Sequence, residues 1–182
     1  RVGHVIGQSI NLRRLEIWID PTNPFELLTE FFKHLAWNQS IWHLVLRLSD
    51  LSGEVELLLN LIPFLKHNPN LLCIEMGACS DNMSTIFLPF LASTLSQSLP
   101  KHLKRIDLFN NKISDEDAFT FIKAVNEIPA LCSSLLELCL ARNSIGRRGC
   151  TALRELLKNA ATKLQCIDLM KNHIDDECID IL

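Results

Sequence analysis

The chain has 182 residues, of which 48% are hydrophobic and 21% charged, and its formal net charge is −3 with a pI near 6.1. This composition predicts a globular chain with a sizeable core, and it disfavours disorder and the polycationic surface of a nucleic-acid-binding protein. The richest apolar run, Leu57 to Leu65, is interrupted by Asn60 and Pro63 and is shorter than the roughly 20 residues of a membrane-spanning helix. We therefore expect neither nucleic acid nor a membrane as the main ligand.

The chain begins and ends inside predicted helical segments. Val2, Val5, Ile6 and Ile10 predict the end of a helix within residues 1–11, and Leu182 falls inside the last predicted helix. The terminal units of a stacked array normally carry a polar cap. We therefore expect the chain to be part of a longer array, and part of its function to lie outside these residues.

Between these ends one short phrase is repeated six times. The phrase has Leu or Ile at its first, fourth and sixth positions and a small polar residue at its ninth. The phrase begins near residues 12, 41, 71, 103, 135 and 164, so that successive copies are 29, 30, 32, 32 and 29 residues apart. The last three copies are the most regular, whereas Asp20–Pro21 and Gly77–Ala78 depart from the pattern. A period of this length predicts a solenoid.

Each copy of the phrase predicts a short strand followed by a turn. Alternation around Ile106 places Ile106 and Leu108 in the core. Arg105, Asp107 and Phe109 then lie on the opposite face. After the strand, a small side chain recurs in one register, where it can bond the turn backbone and stack on its copy in the next repeat. The residues in this register are Asp20, Ser49, Cys79, Asn111, Asn143 and Asn172.

A helical pattern follows each turn. Residues 114–117 and 175–177 place capping and acidic side chains at predicted helix starts. Four prolines, Pro24, Pro69, Pro100 and Pro129, fall near predicted helix ends. The apolar residues that predict the buried helix faces are Phe25, Leu28, Phe32, Leu35, Val55, Leu58, Leu59, Ile62, Ala118, Ile122, Val125, Ala152, Leu153, Leu156 and Leu157.

The phrase and its following helix resemble the leucine-rich repeat, in the subgroup represented by ribonuclease inhibitor. The resemblance covers roughly residues 2–182. It implies a single α/β domain over residues 1–182, a leucine-rich-repeat solenoid of about six repeats shaped as a horseshoe, with short parallel strands on the concave face and helices on the convex face. Similar proteins serve as inhibitors, as sensor or regulatory arms of innate-immunity receptors, and as substrate-recruiting parts of ubiquitin ligases.

Outward residues of neighbouring strands form rows on the predicted concave face, because adjacent strands lie only about 4.8 Å apart. The first row is Arg14, His43, Cys73, Arg105, Glu137 and Cys166. The second row is Glu16, Val45, Glu75, Asp107, Cys139 and Asp168. The third row is Trp18, Arg47, Gly77, Phe109, Ala141 and Met170. From these rows and the adjoining Trp42 we predict the partner-binding residues Arg14, Glu16, Trp18, Trp42, His43, Arg47, Glu75, Arg105, Asp107, Phe109, Glu137, Asp168 and Met170.

Two features of these rows point to binding. Glu75 and Asp107 are adjacent like charges, which destabilise a sheet unless a cation lies nearby. That cation is either Arg105 of the chain, which also has Glu137 beside it, or a Lys or Arg of a partner. Aromatic and Met side chains, here Trp18, Trp42, Phe109 and Met170, often contribute much of the binding free energy of a protein interface. The alternative for Trp18 and Trp42 is packing into repeat junctions or loops.

Catalytic chemistry finds little support. His43 and Cys73 are neighbours in one row, but no cleft, oxyanion hole or third orienting residue accompanies them. A zinc site formed by His43, Cys73 and an acid such as Glu75 is disfavoured because these ligands would lie nearly in one plane. Phosphate-loop, dinucleotide-binding, zinc-protease and hydrolase motifs do not occur. The loop Gly146–Gly149 is interpreted as a helix start with solvated arginines rather than an anion site.

The seven cysteines are odd in number and contain no CxxC spacing, which favours free thiols in a reducing compartment, the cytoplasm or the nucleus, over a disulfide or metal framework. Two sequons, Asn38-Gln-Ser40 and Asn82-Met-Ser84, keep secretion open as an alternative.

Together these observations predict a protein that is not an enzyme and uses no cofactor or metal. We expect an interaction scaffold that binds a protein partner on its concave face and the adjacent loops. One alternative is an activator of the small nuclear-transport GTPase, because such activators resemble the same repeat. The other is a purely structural spacer. The partner and the oligomeric state do not follow from the sequence.

Overall fold

The computed structural model describes residues 2–19, 25–48, 59–77, 88–97 and 102–182. The predictions for Asp20, Pro24, Ser49, Val55, Leu58, Cys79, Asn82 and Pro100 lie outside these residues. The helices in the described part are α1 (Val2–Gln8), α2 (Phe25–Leu35), α3 (Ile62–His67), α4 (Leu88–Gln97), α5 (Asp115–Asn126), α6 (Pro129–Cys132), α7 (Arg147–Lys158) and α8 (Asp176–Ile181). None of the described helices is long and apolar enough to cross a membrane.

Six parallel strands form a single sheet in the order in which they occur in the chain. The strands are β1 (Arg14–Ile19), β2 (His43–Leu48), β3 (Cys73–Gly77), β4 (Arg105–Asp107), β5 (Glu137–Cys139) and β6 (Cys166–Asp168). The residues paired across the sheet are 29, 30, 32, 32 and 29 positions apart, which are the spacings of the repeated phrase. The predicted α/β solenoid with about six repeats is thereby confirmed.

The core lies between the sheet and the helices. Inward strand residues such as Leu44, Ile74, Ile106 and Leu138 are buried. The predicted helix face is also largely buried, but the prediction for Leu157 is wrong, since 44% of its surface is exposed. The buried members of that face are Phe32, Leu35, Ala118, Ile122, Val125, Ala152, Leu153 and Leu156. The one-turn helix α6 was not predicted from the sequence.

The turn after each of the regular strands is held by an asparagine side chain. The Oδ1 atom of Asn143 accepts hydrogen bonds of 3.0 Å from the backbone amides of Asn111 and Ile113 in the preceding repeat. Its Nδ2 atom donates to the carbonyls of Leu108 and Leu140 at 3.0 and 2.9 Å. Asn172 makes the equivalent bond to the amide of Ile145. The predicted bonding of these amides to the turn backbone is therefore confirmed, and the bonds join each repeat to the next.

A second set of amides, which sequence reasoning missed, lies where the helices end. Asn38 is buried, and its Nδ2 atom donates to the carbonyls of Ile6 and Ser9 at 2.7 and 2.9 Å. Asn68 is equally buried and donates to the carbonyl of Ile41 at 2.8 Å. Each of these two residues stands three positions before a copy of the phrase. The Asn38 side chain is fully engaged, so this sequon is not accessible to glycosylation in the folded chain.

The loop at Gly146–Gly149 begins helix α7, as predicted, and its backbone amides bind a carboxylate of the chain itself. Asp115 accepts hydrogen bonds from the amides of Gly146, Arg148 and Gly149 at 2.8, 3.1 and 2.7 Å. A Cβ atom at Gly149 would lie 2.4 Å from the Ile145 side chain, so only glycine fits there. Burial raises the pKa of the Asp115 carboxyl, but the three amides outweigh burial and hold this pKa below its ordinary value.

The asparagine bonding predicts a large stability loss on truncation at Asn143. Asn143→Ala leaves buried amides and carbonyls of two repeats without partners, so we expect the free energy of unfolding to fall by on the order of 3 kcal/mol or more. Urea denaturation followed by circular dichroism measures this loss. Asn70→Ala removes an exposed asparagine whose side chain bonds only one carbonyl at 2.8 Å, and serves as the control. Equal losses in the two variants would contradict the assigned role of Asn143.

The Asp115 contact predicts a pH-dependent contribution to stability. Because the pKa of Asp115 is lower in the folded state, its stabilising effect is complete above the unfolded pKa of about 3.9 and is lost as the pH falls further. Asp115→Ala should therefore cost about 1 kcal/mol near neutral pH, and the cost should shrink below about pH 4. Denaturant unfolding at several pH values measures it. Glu116→Ala, which removes an exposed acid paired with Arg148, should cost less than about 0.5 kcal/mol; a pH-independent loss from Asp115→Ala would refute the assignment.

Candidate functional site

The concave surface is formed by the outward residues of the six strands, and the sheet register assembles the predicted rows. Arg14 pairs with His43, His43 with Cys73, and Cys73 with Arg105. The pairing continues to Glu137 and then Cys166. The second row is likewise in register from Glu16 to Asp168, and the third from Trp18 through Arg47 to Gly77. Partner-binding predictions from separate repeats are thus adjacent in space.

At the β1 edge of the surface, acidic and basic side chains alternate. Arg14 Nη1 lies 2.8 Å from Glu16 Oε2, and Trp18 Nε1 donates to Glu16 Oε1 at 3.3 Å. Arg47 on β2 lies within 4.0 Å of Glu16 and also reaches Glu75 on β3, at 3.4 Å. Arg47 therefore links the carboxylates of two strands.

Glu75 is the centre of the surface. Its Oε1 atom lies 2.9 Å from His43 Nε2, and its Oε2 atom accepts from Arg47 Nη2. The Nε atom of Arg105 lies 3.9 Å from Glu75 Oε1 on the other side. The Glu75 side chain is only 16% exposed. A single carboxylate thus contacts three basic side chains from the two flanking strands, β2 and β4.

Arg105 neutralises the acids on the other side of Glu75. It contacts Asp107 Oδ2 at 2.7 Å and Glu137 Oε2 at 2.5 Å. Burial lowers the pKa of Arg105, but the hydrogen bonds that its guanidinium donates to Glu137 and Asp107 outweigh burial and raise this pKa above its ordinary value. The like charges of Glu75 and Asp107 are therefore separated by a cation of the chain itself.

Asp107 is less available to a partner than its place in the row implies. Only 9% of its surface is exposed, and its Oδ1 atom accepts from the Phe109 amide at 3.0 Å. Asp168 makes the same bond to the Met170 amide at 2.9 Å. The acids of the second row thus also hold the ends of their strands.

Large apolar side chains remain exposed around this charged centre. Trp18 is 76% exposed and Met170 68% exposed. Phe109 and Trp42 are partly exposed; the Phe109 ring lies 5.5 Å from the Arg142 guanidinium, and Trp42 lies 5.9 Å from the ring of His43. Packing into a repeat junction, the alternative considered for Trp18, is not what the structure shows.

Sequence reasoning missed one prominent aromatic residue. Trp37 follows α2 and is 81% exposed, but it lies off the concave surface, beside Lys33, Pro63 and His67. In the sequence it directly follows Leu35 and Ala36 at the end of α2, so its position there does not mark it as exposed. A large exposed apolar side chain at such a position has no role in the core of its own repeat.

Two cysteines of the surface, Cys73 and Cys139, are held as thiols at neutral pH. Burial, together with the Glu75 carboxylate, raises the pKa of the Cys73 thiol to about 12. Burial likewise raises the pKa of Cys139 to about 11. The donor atoms of His43, Cys73 and Glu75 nevertheless lie within 4.8 Å of one another. These three side chains therefore converge on one point of the concave surface.

Comparison with known proteins finds a known repeat in two segments of the chain. A family model described as leucine-rich repeat matches residues 100–121 and 160–177. No curated protein sequence matches the chain significantly. Among solved structures, an internalin from Listeria monocytogenes is similar at 20% sequence identity and a TM-score of 0.45, over 92% of this chain. The chain spans 42% of the length of that internalin.

The matched segments contain strands β4 and β6 with the turns and helix starts that follow them, and the same unit recurs in register across the sheet. The chain folds as an α/β solenoid of about six repeats, and two of these repeats match the leucine-rich-repeat model.

Proposed function

We propose that the chain is a non-catalytic binding module that engages a protein partner on its concave surface and the adjacent loops. The observation that carries this proposal is the exposure of Trp18 and Met170 on a face that does not need them for its core. Tryptophan is among the residues most enriched at the centres of protein interfaces, and exposed apolar groups of this kind mark interaction sites.

The charges of the concave surface favour an apolar contact over a purely electrostatic one. Arg105 already lies between Glu75 and Asp107, so a Lys or Arg of the partner is not required there. Paired charges also hold the surface in one arrangement before binding, which reduces the cost of ordering side chains. The partner that fits best offers apolar pockets for Trp18, Phe109 and Met170, with polar groups around them.

We also infer membership of the ribonuclease-inhibitor-like subgroup and residence in a reducing compartment. The spacings of 29 to 32 residues and the 12-residue helices α5 and α7 support the subgroup. The compartment is supported by the free thiols of six described cysteines, four of which are buried. Of the two alternatives, the structural spacer does not account for exposed Trp18 and Met170, and no specific contact favours GTPase activation.

The proposal predicts that one concave tryptophan carries binding energy while another exposed tryptophan does not. Trp18→Ala should weaken binding by about 2 kcal/mol or more, or about 30-fold in Kd, because an exposed aromatic anchor is lost. Partners are first captured from a eukaryotic cell extract by the wild-type chain and identified by mass spectrometry. The Kd of the purified pair is then measured by calorimetry for each variant.

The matched control is Trp37→Ala, which removes an equally exposed tryptophan that lies off the concave surface. Binding unchanged in Trp37→Ala and weakened in Trp18→Ala, with equal unfolding midpoints, would support the concave surface. A partner that binds all three proteins equally, or one lost only from Trp37→Ala, would move the interface elsewhere. Failure of any partner to bind would favour the spacer.

A further inference from the structure

We propose that His43, Cys73 and Glu75 form a binding site for one Zn²⁺ ion on the concave surface, with an open coordination position that faces solvent. The proposal does not rest on the proposed partner binding, because it is argued from the donor atoms of two adjacent strands. It was not expected from the sequence, which placed the three ligands in a flat arrangement.

The sheet register brings the three ligands together. His43 on β2 is paired directly with Cys73 on β3, so their side chains project side by side from the same face. Glu75 is two residues beyond Cys73 and projects from that face as well. Because neighbouring strands constrain all three residues, little chain entropy is lost when their side chains converge on an ion.

The distances between the donor atoms are close to those around zinc. Zinc lies about 2.0 to 2.3 Å from N, O and S ligands, which sets adjacent tetrahedral ligands about 3.3 to 3.6 Å apart. Here His43 Nε2 and Glu75 Oε1 are 2.9 Å apart, and Cys73 Sγ and Glu75 Oε1 are 3.8 Å apart. All the donor atoms lie within 4.8 Å of one another. Side-chain rotations that move these donor atoms by about 1 Å would place them at three corners of a tetrahedron around one ion.

The donor set and its surroundings fit a borderline-soft ion. Imidazole, thiolate and carboxylate are the three ligand types that zinc uses in proteins. Arg47 binds the second oxygen of Glu75 at 3.4 Å, so this contact orients the carboxylate and leaves Oε1 for the ion. The His43 and Glu75 side chains are 18% and 16% exposed, which leaves a path from the solvent.

The local charges allow a dication. The network of the described concave residues contains four carboxylates, Glu16, Glu75, Asp107 and Glu137, against three guanidiniums, Arg14, Arg47 and Arg105. Deprotonation of Cys73 adds a second excess negative charge, and a dication cancels both. Arg47 and Arg105 still lie close to the site, so we expect weaker binding than at a structural zinc site with four protein ligands.

One unsatisfied donor faces the same region. The Nε atom of Arg105 is buried without a hydrogen-bond partner among the described residues, and it lies 3.9 Å from Glu75 Oε1. A water or hydroxide on the open position of the ion is an acceptor that suits such a donor. A carboxylate supplied by another molecule would suit it equally.

Binding requires the loss of one proton. The Cys73 thiol must become a thiolate and release its proton to the solvent when it binds the ion. Because a thiolate ligand must lose its proton, the zinc affinity should rise with pH.

Cobalt and zinc titrations of the full chain test the site. The chain is stripped with a chelator, kept reduced with a phosphine, and titrated with Co²⁺ while the near-ultraviolet thiolate-to-cobalt band and the visible bands of tetrahedral Co²⁺ are recorded. Zn²⁺ is then added to displace Co²⁺, and its affinity is measured by competition with a chromophoric chelator at several pH values. We expect one ion per chain and both sets of cobalt bands.

Variants locate the ion. Cys73→Ala should abolish the thiolate band, and His43→Gln should lower the zinc affinity by more than the roughly 10- to 100-fold cost of changing an outer-shell group. Cys139→Ala is the matched control, because it removes another partly covered thiol near a carboxylate of this surface. Unfolding midpoints establish that each variant is folded, and His43→Gln tests the site by itself where Cys73→Ala is unstable. Absence of the thiolate band in the wild-type chain, or a band that survives Cys73→Ala and disappears in Cys139→Ala, would overturn the proposal.

Discussion

The hydrogen bonds between an asparagine side chain and the turn of the preceding repeat are the interaction on which this structure depends. A turn that closes above a buried strand presents amides and carbonyls that water cannot reach. Asn143 satisfies groups of two repeats at once, and it therefore sets how one repeat sits on the next. Repeats joined in this way keep their strands in register, so side chains about 30 residues apart in sequence become neighbours on one face.

The concave surface follows from that register. A row of side chains spaced by one strand distance cannot hold unpaired charges of one sign without loss of stability. Here Arg47 and Arg105 stand on either side of Glu75 and bind the acids of the flanking strands. In this arrangement most charges at the centre of the surface are paired with opposite charges, and the apolar side chains around them remain exposed. The surface therefore combines a rigid polar centre with exposed Trp18 and Met170 at its margins.

The same crowding gives His43, Cys73 and Glu75 a second potential use. The close packing of side chains around Glu75 brings a nitrogen, a sulfur and an oxygen ligand atom together. A dication at this point and a protein partner on the surrounding apolar groups would occupy one face, with the open coordination position directed toward the partner.

By itself, the sequence determined the solenoid, the parallel strands, the register and the ladder formed by Asn111, Asn143 and Asn172. These features follow from local alternation and from a repeat period, both of which are properties of the chain alone. Only the tertiary structure decided that Asp107 is covered, that Asp115 binds the start of the next helix, and that Trp37 stands exposed. Those outcomes depend on the rotamers and contacts of side chains from different repeats, which no sequence period encodes.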